Sequence, residues 1–447
     1  MASSPPSFVT WFRSAAPYIH AFRGKTFVVG FGGEVVEAGQ LPTLAHDCAL
    51  LASLGVRLVL VHGVRPQLEA VLARRGLEAE WSEGMRVTDA QTLSCVKQAN
   101  GEVRIEIEAA LSTGLPNTPM ANAAVNVASG NFVVACPRGV HDGVDLQYTG
   151  AVRKVDVPAL RGRLDAGEIV LVSPIGYSPT GETFNLTVQD VATSIATALS
   201  AEKLIFMIDG PGVQRGPGRL LRELTLSSAE AWLQRMTAGG RPRPSLTPDI
   251  ARFLPAAIDA CRRGVRRSHL ISREVDGSLL LELFTHHGVG TMISRDTLER
   301  LRPARIDDVG GVLQLIAPLE ADGTLVKRGR ERLEREIGYF TVVDHDRRLI
   351  GCAALYPFPA ARAAELACLV VHPDHREAGH GEALLQHIES RARGQKLERL
   401  FALTTHTAHW FLQNGFREAA VGELPAERRQ LYNWQRRSKV FVKTLLP

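Results

Sequence analysis

The sequence predicts an α/β chain in two parts: a three-layer sandwich on a mostly parallel sheet over residues 1–295, then a smaller α+β domain over residues 296–447. Three observations predict it. At 447 residues the chain is too long for one ordinary core. From Lys25 to Ile293 short β-branched runs alternate with helical patterns and glycine-bearing turns, the signature of a parallel sheet covered on both faces. After Pro303 strands follow one another directly, and in YFTVVDHDRRLIGCAALYPF the polar DHDRR separates two alternating runs as a hairpin would.

The first element is an amphipathic helix, FVTWFRSAAPYIHAF. Its broad apolar face, with Phe8, Trp11, Phe12, Ala15, Tyr18 and Ile19, needs a partner. TFVV, VRLVLVH, GEIVLVS, KLIFMI and SHLI read as strands, and HDCALLASLG, RPQLEAVLARRG and TVQDVATSIATALS as helices between them. Residues 209–219 and 237–248 hold too much Gly and Pro for a helix or a central strand. In the second part ELACLVV and FALTT read as strands around the helix EALLQHIESRAR.

Composition excludes several classes. With 45 % hydrophobic and 22 % charged residues the chain is ordinary for a folded soluble protein, and no apolar run reaches a membrane span. The N-terminus lacks a secretory pattern, so a cytoplasmic location is expected. Six scattered cysteines argue against a disulfide framework or a zinc knuckle. The groups His372, His375, His380 and His406, His409 have no cysteine nearby, so no metal is expected. A net charge of +5 suits an enzyme of anionic small molecules. CRRGVRR and QRRSK lack the aromatic interleaving of a nucleic-acid surface, so no nucleic-acid partner is expected.

The sharpest motif is VHPDHREAGHG, residues 371–381, between an apolar strand and a helix. Arg376 and the glycines at 379 and 381 would expose backbone N–H groups beside the positive end of a helix dipole, a place for an anion. The pattern alone also fits a plain glycine-containing turn. It has neither the Lys-Ser/Thr of a Walker loop nor Rossmann glycine spacing. Arg376, Gly379 and Gly381, followed by FALTT and by AHWFLQNGF with Gly415 and Phe416, resemble the acyl-CoA loop and next helix of the GNAT-type acetyltransferases. LACLVVHPDHR, LFALTT, HWFLQNGF and QLYNWQRRSKV in this order resemble the C-terminal domain of the bacterial N-acetylglutamate synthases, as does CAALYPF. The resemblance implies acetyl-CoA as cosubstrate, held by Leu369, Val370, Val371, Arg376, Glu377, Ala378, Gly379, His380 and Gly381.

It also implies a division of labour around an acceptor glutamate. Glu365 takes the proton of the ammonium, directly or through water. Backbone N–H groups near Cys368 and Leu369 hold the thioester oxygen where two strands part. Cys368 lines the acceptor site without serving as a nucleophile. Many relatives use a tyrosine as the acid for the leaving thiolate, but that position is Phe411 here, and Thr404 is the substitute candidate. Arg328, Arg436 and Ser438 are the candidates for the carboxylates of glutamate.

The first part resembles the amino-acid-kinase fold, the acetylglutamate kinases above all, through LVLVHGVRPQLEAVL, SGNFVVACP and ACRRGVRRSHLISREVDGSLLLELFTHHGVGTMI. The kinase chemistry is missing from it. Gly30 stands where the kinases carry a lysine, and Val64 and Arg65 stand where they carry glycines. Losing both should cost several kcal/mol of phosphoryl-transfer stabilisation. The resemblance instead implies a non-phosphorylating domain regulated by L-arginine, with Tyr18, Lys203, His269, Glu282, Gly288 and Gly290 around the effector. It also implies N-terminal helices interlaced in a homo-oligomer, a hexamer. The expected activity is therefore transfer of acetyl to the α-amine of L-glutamate. The competing readings are a bifunctional acetylglutamate kinase/acetyltransferase and an arginine-sensing protein acetyltransferase.

Overall fold

The computed structural model describes residues 5–116, 118, 120–216, 218–237, 246–285, 288–295, 299–345, 348–376, 379–405 and 407–445. By its internal contacts the chain divides after residue 296 into two compact units.

The first unit is built on an eight-stranded sheet. Its order is Glu223–Thr225, Thr291–Ser294, Arg267–Ser272, Lys203–Ile208, Thr26–Phe31, Arg57–His62, Ile169–Val172 and Val127–Ser129. All neighbours are parallel except Arg267–Ser272 with Thr291–Ser294. Alternate residues of one strand feed two separate cores. Val28 packs with the helices Val188–Ala198 and Pro248–Arg262, while Phe27, Val29 and Phe31 pack on the other face with Leu41–Ser53 and Ala90–Leu111. That is why these strands read as unbroken apolar runs. Helix starts are signalled locally: the side chains of Asp89, Thr187 and Thr247 accept from Thr92 N, Asp190 N and Ile250 N. A second, four-stranded sheet carries Val133–Pro137 and Gly150–Val155.

The N-terminal helix, Pro5–Phe22, divides its apolar face. Ala15 and Phe22 are buried in the unit, whereas Phe8, Trp11 and Phe12 remain about half exposed (54 %, 47 % and 52 %).

The second unit is a seven-stranded sheet in the order Glu299–Pro303, Phe340–His345, Arg348–Phe358, Ala363–Val371, Arg399–Thr404, Lys439–Thr444 and Arg417–Ala419. Every pair is antiparallel except Ala363–Val371 with Arg399–Thr404. The helix His380–Gly394 covers one face through Leu384, Leu385 and Ile388, and Val309–Ala321 covers the other through Val312 and Ile316. Lys439 opens a strand that is paired on both sides from Val440 to Val442, while its own side chain stays exposed and pairs with Glu418.

Candidate active site

The single parallel pair creates an opening. Ala363 to Leu366 pair with Arg399 to Ala402, and the ladder ends there. From Ala367 to Val371 the strand has a partner only on its other side, where two residues, Cys368 and Leu369, face Ala353 across a bulge. Cys368 sits at φ +50°, in the left-handed region. A bulge of this kind re-aims the backbone groups of its strand. From Ala367 onward the strand's backbone groups on that side therefore lie outside the parallel ladder. Burial pushes the Cys368 thiol up to about 11, so it stays a thiol near neutral pH rather than a nucleophilic thiolate.

The strand leads to the candidate loop. After the strand come a short 3-10 turn at Pro373–His375, Arg376 in an extended conformation, and Gly379 at φ +82°, from which the helix His380–Gly394 starts. Gly379 has no side chain to cap that helix, whose first N–H groups lack intrahelical acceptors as at any helix start. The two glycines differ in kind. At Gly379 the backbone conformation itself demands glycine, whereas a Cβ on Gly381 would make only ordinary contact with Trp410 at 3.4 Å. Glu377 and Ala378 lie outside the described residues. His380 is buried, and its ring lies 6.1 Å from that of His375. Among the described residues no group of three His, Cys, Asp or Glu side chains is arranged to hold a metal ion.

The remaining candidates lie on separate segments of the second unit. Glu365 is gripped by Arg428, whose Nε and Nη2 donate to its two oxygens at 2.5 and 3.1 Å. This fork is the strong form of a guanidinium–carboxylate contact. Arg328, on the loop before Arg330–Glu336, lies near Glu365, Cys368 and Tyr356. Arg436 ties the same loop down, donating through Nη2 to the carbonyls of Gly323 and Thr324. Both arginines keep a buried Nε–H that has no acceptor among the described residues. Ser438 is buried, and its carbonyl accepts from the Tyr432 hydroxyl at 2.7 Å. Thr404 closes the strand on the far side of the gap. Its Oγ1 lies 2.8 Å from that of Thr407 and accepts from Thr407 N at 3.0 Å, so it also shapes the turn. Phe411 is packed between Phe416 and Phe441, with no polar atom to offer a leaving group.

The first unit assembles a second polar cluster. Lys203 Nζ donates to His269 Nε2 at 3.0 Å, and His269 Nδ1 donates to Glu282 Oε1 at 2.7 Å. Glu282 Oε2 accepts from Val289 N and Gly290 N, at 2.7 and 2.9 Å. Burial and the Lys203 charge pull His269 down to about 4, so it is a neutral relay. Burial opposes ionisation of Glu282, but the bonds from His269, Gly290 and Val289 hold it down at about 2. Phe22 and Tyr18 roof the cluster: Lys203 Nζ lies 5.4 Å from the Phe22 ring, and the Tyr18 ring is 6.1 Å from that of Phe22. The Gly288 carbonyl accepts from Arg222 at its edge. At the kinase-like turn, a Cβ on Gly30 would fall 2.8 Å from the Phe206 ring. The Gln67 side chain fills the neighbouring turn by donating to Gly33 O at 2.8 Å.

Comparison with known proteins agrees with both halves. Residues 25–272 match the amino acid kinase family, and residues 336–418 match the acetyltransferase (GNAT) domain. An amino-acid acetyltransferase of Ralstonia nicotianae is 54 % identical over 450 residues, covering 100 % of this chain and 98 % of the relative. The chain belongs to the amino-acid acetyltransferase family. A solved N-acetylglutamate synthase from Neisseria gonorrhoeae, complexed with coenzyme A and L-arginine, is 41 % identical and matches with a TM-score of 0.87 over 98 % of this chain and 100 % of the other. The same enzyme complexed with coenzyme A and N-acetyl-glutamate matches over the same shares with a TM-score of 0.61.

For this amino-acid acetyltransferase, sequence reasoning singled out Glu365, Cys368, Arg328 and Arg436 but missed three neighbours. Arg428, 63 residues from its partner Glu365, sits in a surface-looking ERRQ run and carries no local signal. Tyr356 and Glu336, joined by a 2.6 Å hydrogen bond, fall in an ordinary strand and an ordinary charged helix. One signal could have found Tyr356: once the hairpin is paired to the ELACLVV strand, it stands opposite Glu365.

Proposed function

We propose that this chain transfers the acetyl group of acetyl-CoA to the α-amine of L-glutamate, and that L-arginine binds in the first unit as a feedback effector. One observation carries the choice of acceptor: two buried guanidinium Nε–H groups, on Arg328 and Arg436, await acceptors in one neighbourhood. A buried donor left unpaired costs about 1–3 kcal/mol, and a dicarboxylate amino acid supplies both partners. A protein lysine would supply neither.

In the reaction, Arg428 holds the Glu365 carboxylate in a fixed orientation, and Glu365 takes a proton from the glutamate ammonium, directly or through a water. The freed amine attacks the thioester carbon. Charge building on the carbonyl oxygen is met by backbone N–H groups at the Cys368–Leu369 bulge, which need no reorganisation. The C–S bond then breaks, and the thiolate takes up a proton, with Thr404 the hydroxyl candidate. The backbone of residues 369–371, Arg376 and the turn at Gly379, His380 and Gly381 hold the pyrophosphate.

The first unit is read as non-phosphorylating, which the Phe206 ring against Gly30 supports by leaving no room for a side chain there. Its Lys203–His269–Glu282 relay offers remaining acceptor capacity for a guanidinium. The half-exposed Phe8, Trp11 and Phe12 support pairing of N-terminal helices in a ring, read as a hexamer. Among the described residues no helix is long and apolar enough to cross a membrane, and the cytoplasm is the proposed location. The test is steady-state release of CoA with acetyl-CoA and L-glutamate, with and without L-arginine. Absence of glutamate-dependent release would refute the activity, and an unaltered rate at saturating arginine would refute the regulation.

A further inference from the structure

Glu382 is the third residue of the helix His380–Gly394 and the acid of its first turn. A glutamate at that position commonly folds back onto the backbone N–H of the residue that precedes the helix, one half of a capping box. Here that residue is Gly379, in the turn that the proposed function gives to the pyrophosphate. The helix dipole draws a carboxylate and a phosphate to the same N–H groups. Left to itself, Glu382 would be a competitor built into the site. Its carboxylate is instead held to one side, where Trp410 Nε1–H donates to Glu382 Oε1 at 3.1 Å. Trp410 belongs to the helix Ala408–Gln413, and its ring lies beside the turn, 3.4 Å from where a Cβ on Gly381 would stand. It packs edge-on against Phe411, with centroids 5.2 Å apart, and Phe411 is buried between Phe416 and Phe441. The indole is therefore a fixed donor, and Glu382 is the exposed side chain that follows it.

We propose that Trp410 is a positioning residue for acetyl-CoA: by holding the Glu382 carboxylate aside, it keeps that acid from capping its own helix and leaves the N–H groups at the helix start to the pyrophosphate. This rests on the reading that the turn holds the pyrophosphate. An indole N–H suits the task because it donates and cannot accept, so it engages the carboxylate without competing for the backbone donors. Being neutral, it also adds no charge that would hold the pyrophosphate in its own right. The open and the self-capped turn then differ by the rotation of one glutamate side chain, and the consequence falls on the cosubstrate rather than on the acceptor.

The test is steady-state kinetics on full-length protein carrying Trp410→Phe, Glu382→Ala or both. Trp410→Phe keeps a ring against Phe411 and removes the N–H. A released carboxylate competing at a helix start acts with about the strength of one cap, so the acetyl-CoA KM should rise about fivefold. The glutamate KM and kcat should each change by less than about twofold. Glu382→Ala alone should leave the acetyl-CoA KM at or below the wild-type value. The double variant decides: with the competing acid gone, its acetyl-CoA KM should return to within about twofold of wild type. A Trp410 that merely packs against the turn would leave the double variant as impaired as Trp410→Phe. That result, or an unchanged acetyl-CoA KM in Trp410→Phe, would overturn the proposal. Should Trp410→Phe fail to fold, benzothienylalanine at position 410, which keeps the bicyclic ring and lacks only the N–H, carries the same comparison. Gly379→Ala separates this inference from the reading beneath it. An acetyl-CoA KM unmoved by Gly379→Ala defeats the pyrophosphate reading of the turn, whereas a rise there beside an unaltered Trp410→Phe defeats only this inference.

Discussion

Removing Arg428 should disable the base without touching it. Glu365 and Arg428 are 13 % and 21 % exposed and joined by two bonds at 2.5 and 3.1 Å. Two unit charges about 4 Å apart attract by about 4 kcal/mol at an effective dielectric of 20. Desolvation of both ions offsets part of that, leaving about 2–3 kcal/mol of positioning to lose on truncation. If that positioning is used in the transition state, Arg428→Ala should lower kcat/KM for glutamate by roughly 30- to 150-fold. Arg428→Lys keeps the charge but not the planar fork, and should recover only part of the loss. The assay is CoA release at varied glutamate and saturating acetyl-CoA, with Glu365→Ala as the reference for a missing base. Arg428→Ala within about threefold of wild type, beside an inactive Glu365→Ala, would refute the reasoning, as would full activity in Arg428→Lys.

Three further outcomes are expected. His62 is fully buried and lowered to about 4 by burial. Its unfolded form therefore binds the extra proton, and stability is complete above the ordinary value of 6.5 and lost as pH falls from there through about 4. Acidifying from about pH 7 to about pH 5 should cost the first unit about 2 kcal/mol through this group; denaturant melts of wild type and His62→Gln that lose stability equally would contradict this. Gly379→Ala forces a side chain into a left-handed conformation worth about 1–2 kcal/mol and should raise the acetyl-CoA KM about tenfold. Gly381→Ala has room within the protein, so any rise it causes reports ligand approach; titration of CoA by calorimetry compares the two. Glu282→Gln removes the charge at the end of the Lys203–His269 relay and should weaken arginine binding about tenfold or more, read by calorimetry with arginine-free activity as the control.

The turn from Val371 to Gly381 and the parallel sheet were legible because each is written in consecutive residues. An apolar run followed by Arg376, Gly379 and a helix announces its own turn, and strands such as KLIFMI announce burial on both faces. The disarmed kinase turn was legible as an absence, Gly30, but its cause was not: Phe206, on the neighbouring strand, occupies the space a side chain would need. The same holds for the side chains around Glu365. Glu365, Arg328 and Arg436 could be named one by one, yet nothing in the order of residues said that Arg428 would clasp Glu365 or that Tyr356 would donate to Glu336. Where the two strands part was named only through the resemblance, because it depends on a register ending at Leu366 and Ala402 and on the left-handed turn at Cys368. Local backbone preference and apolar periodicity therefore determined the elements and the glycine turn from sequence alone. Tertiary structure decided the site's charge partners and its opening, because contacts between side chains far apart in sequence exist only once the sheet has set their distance.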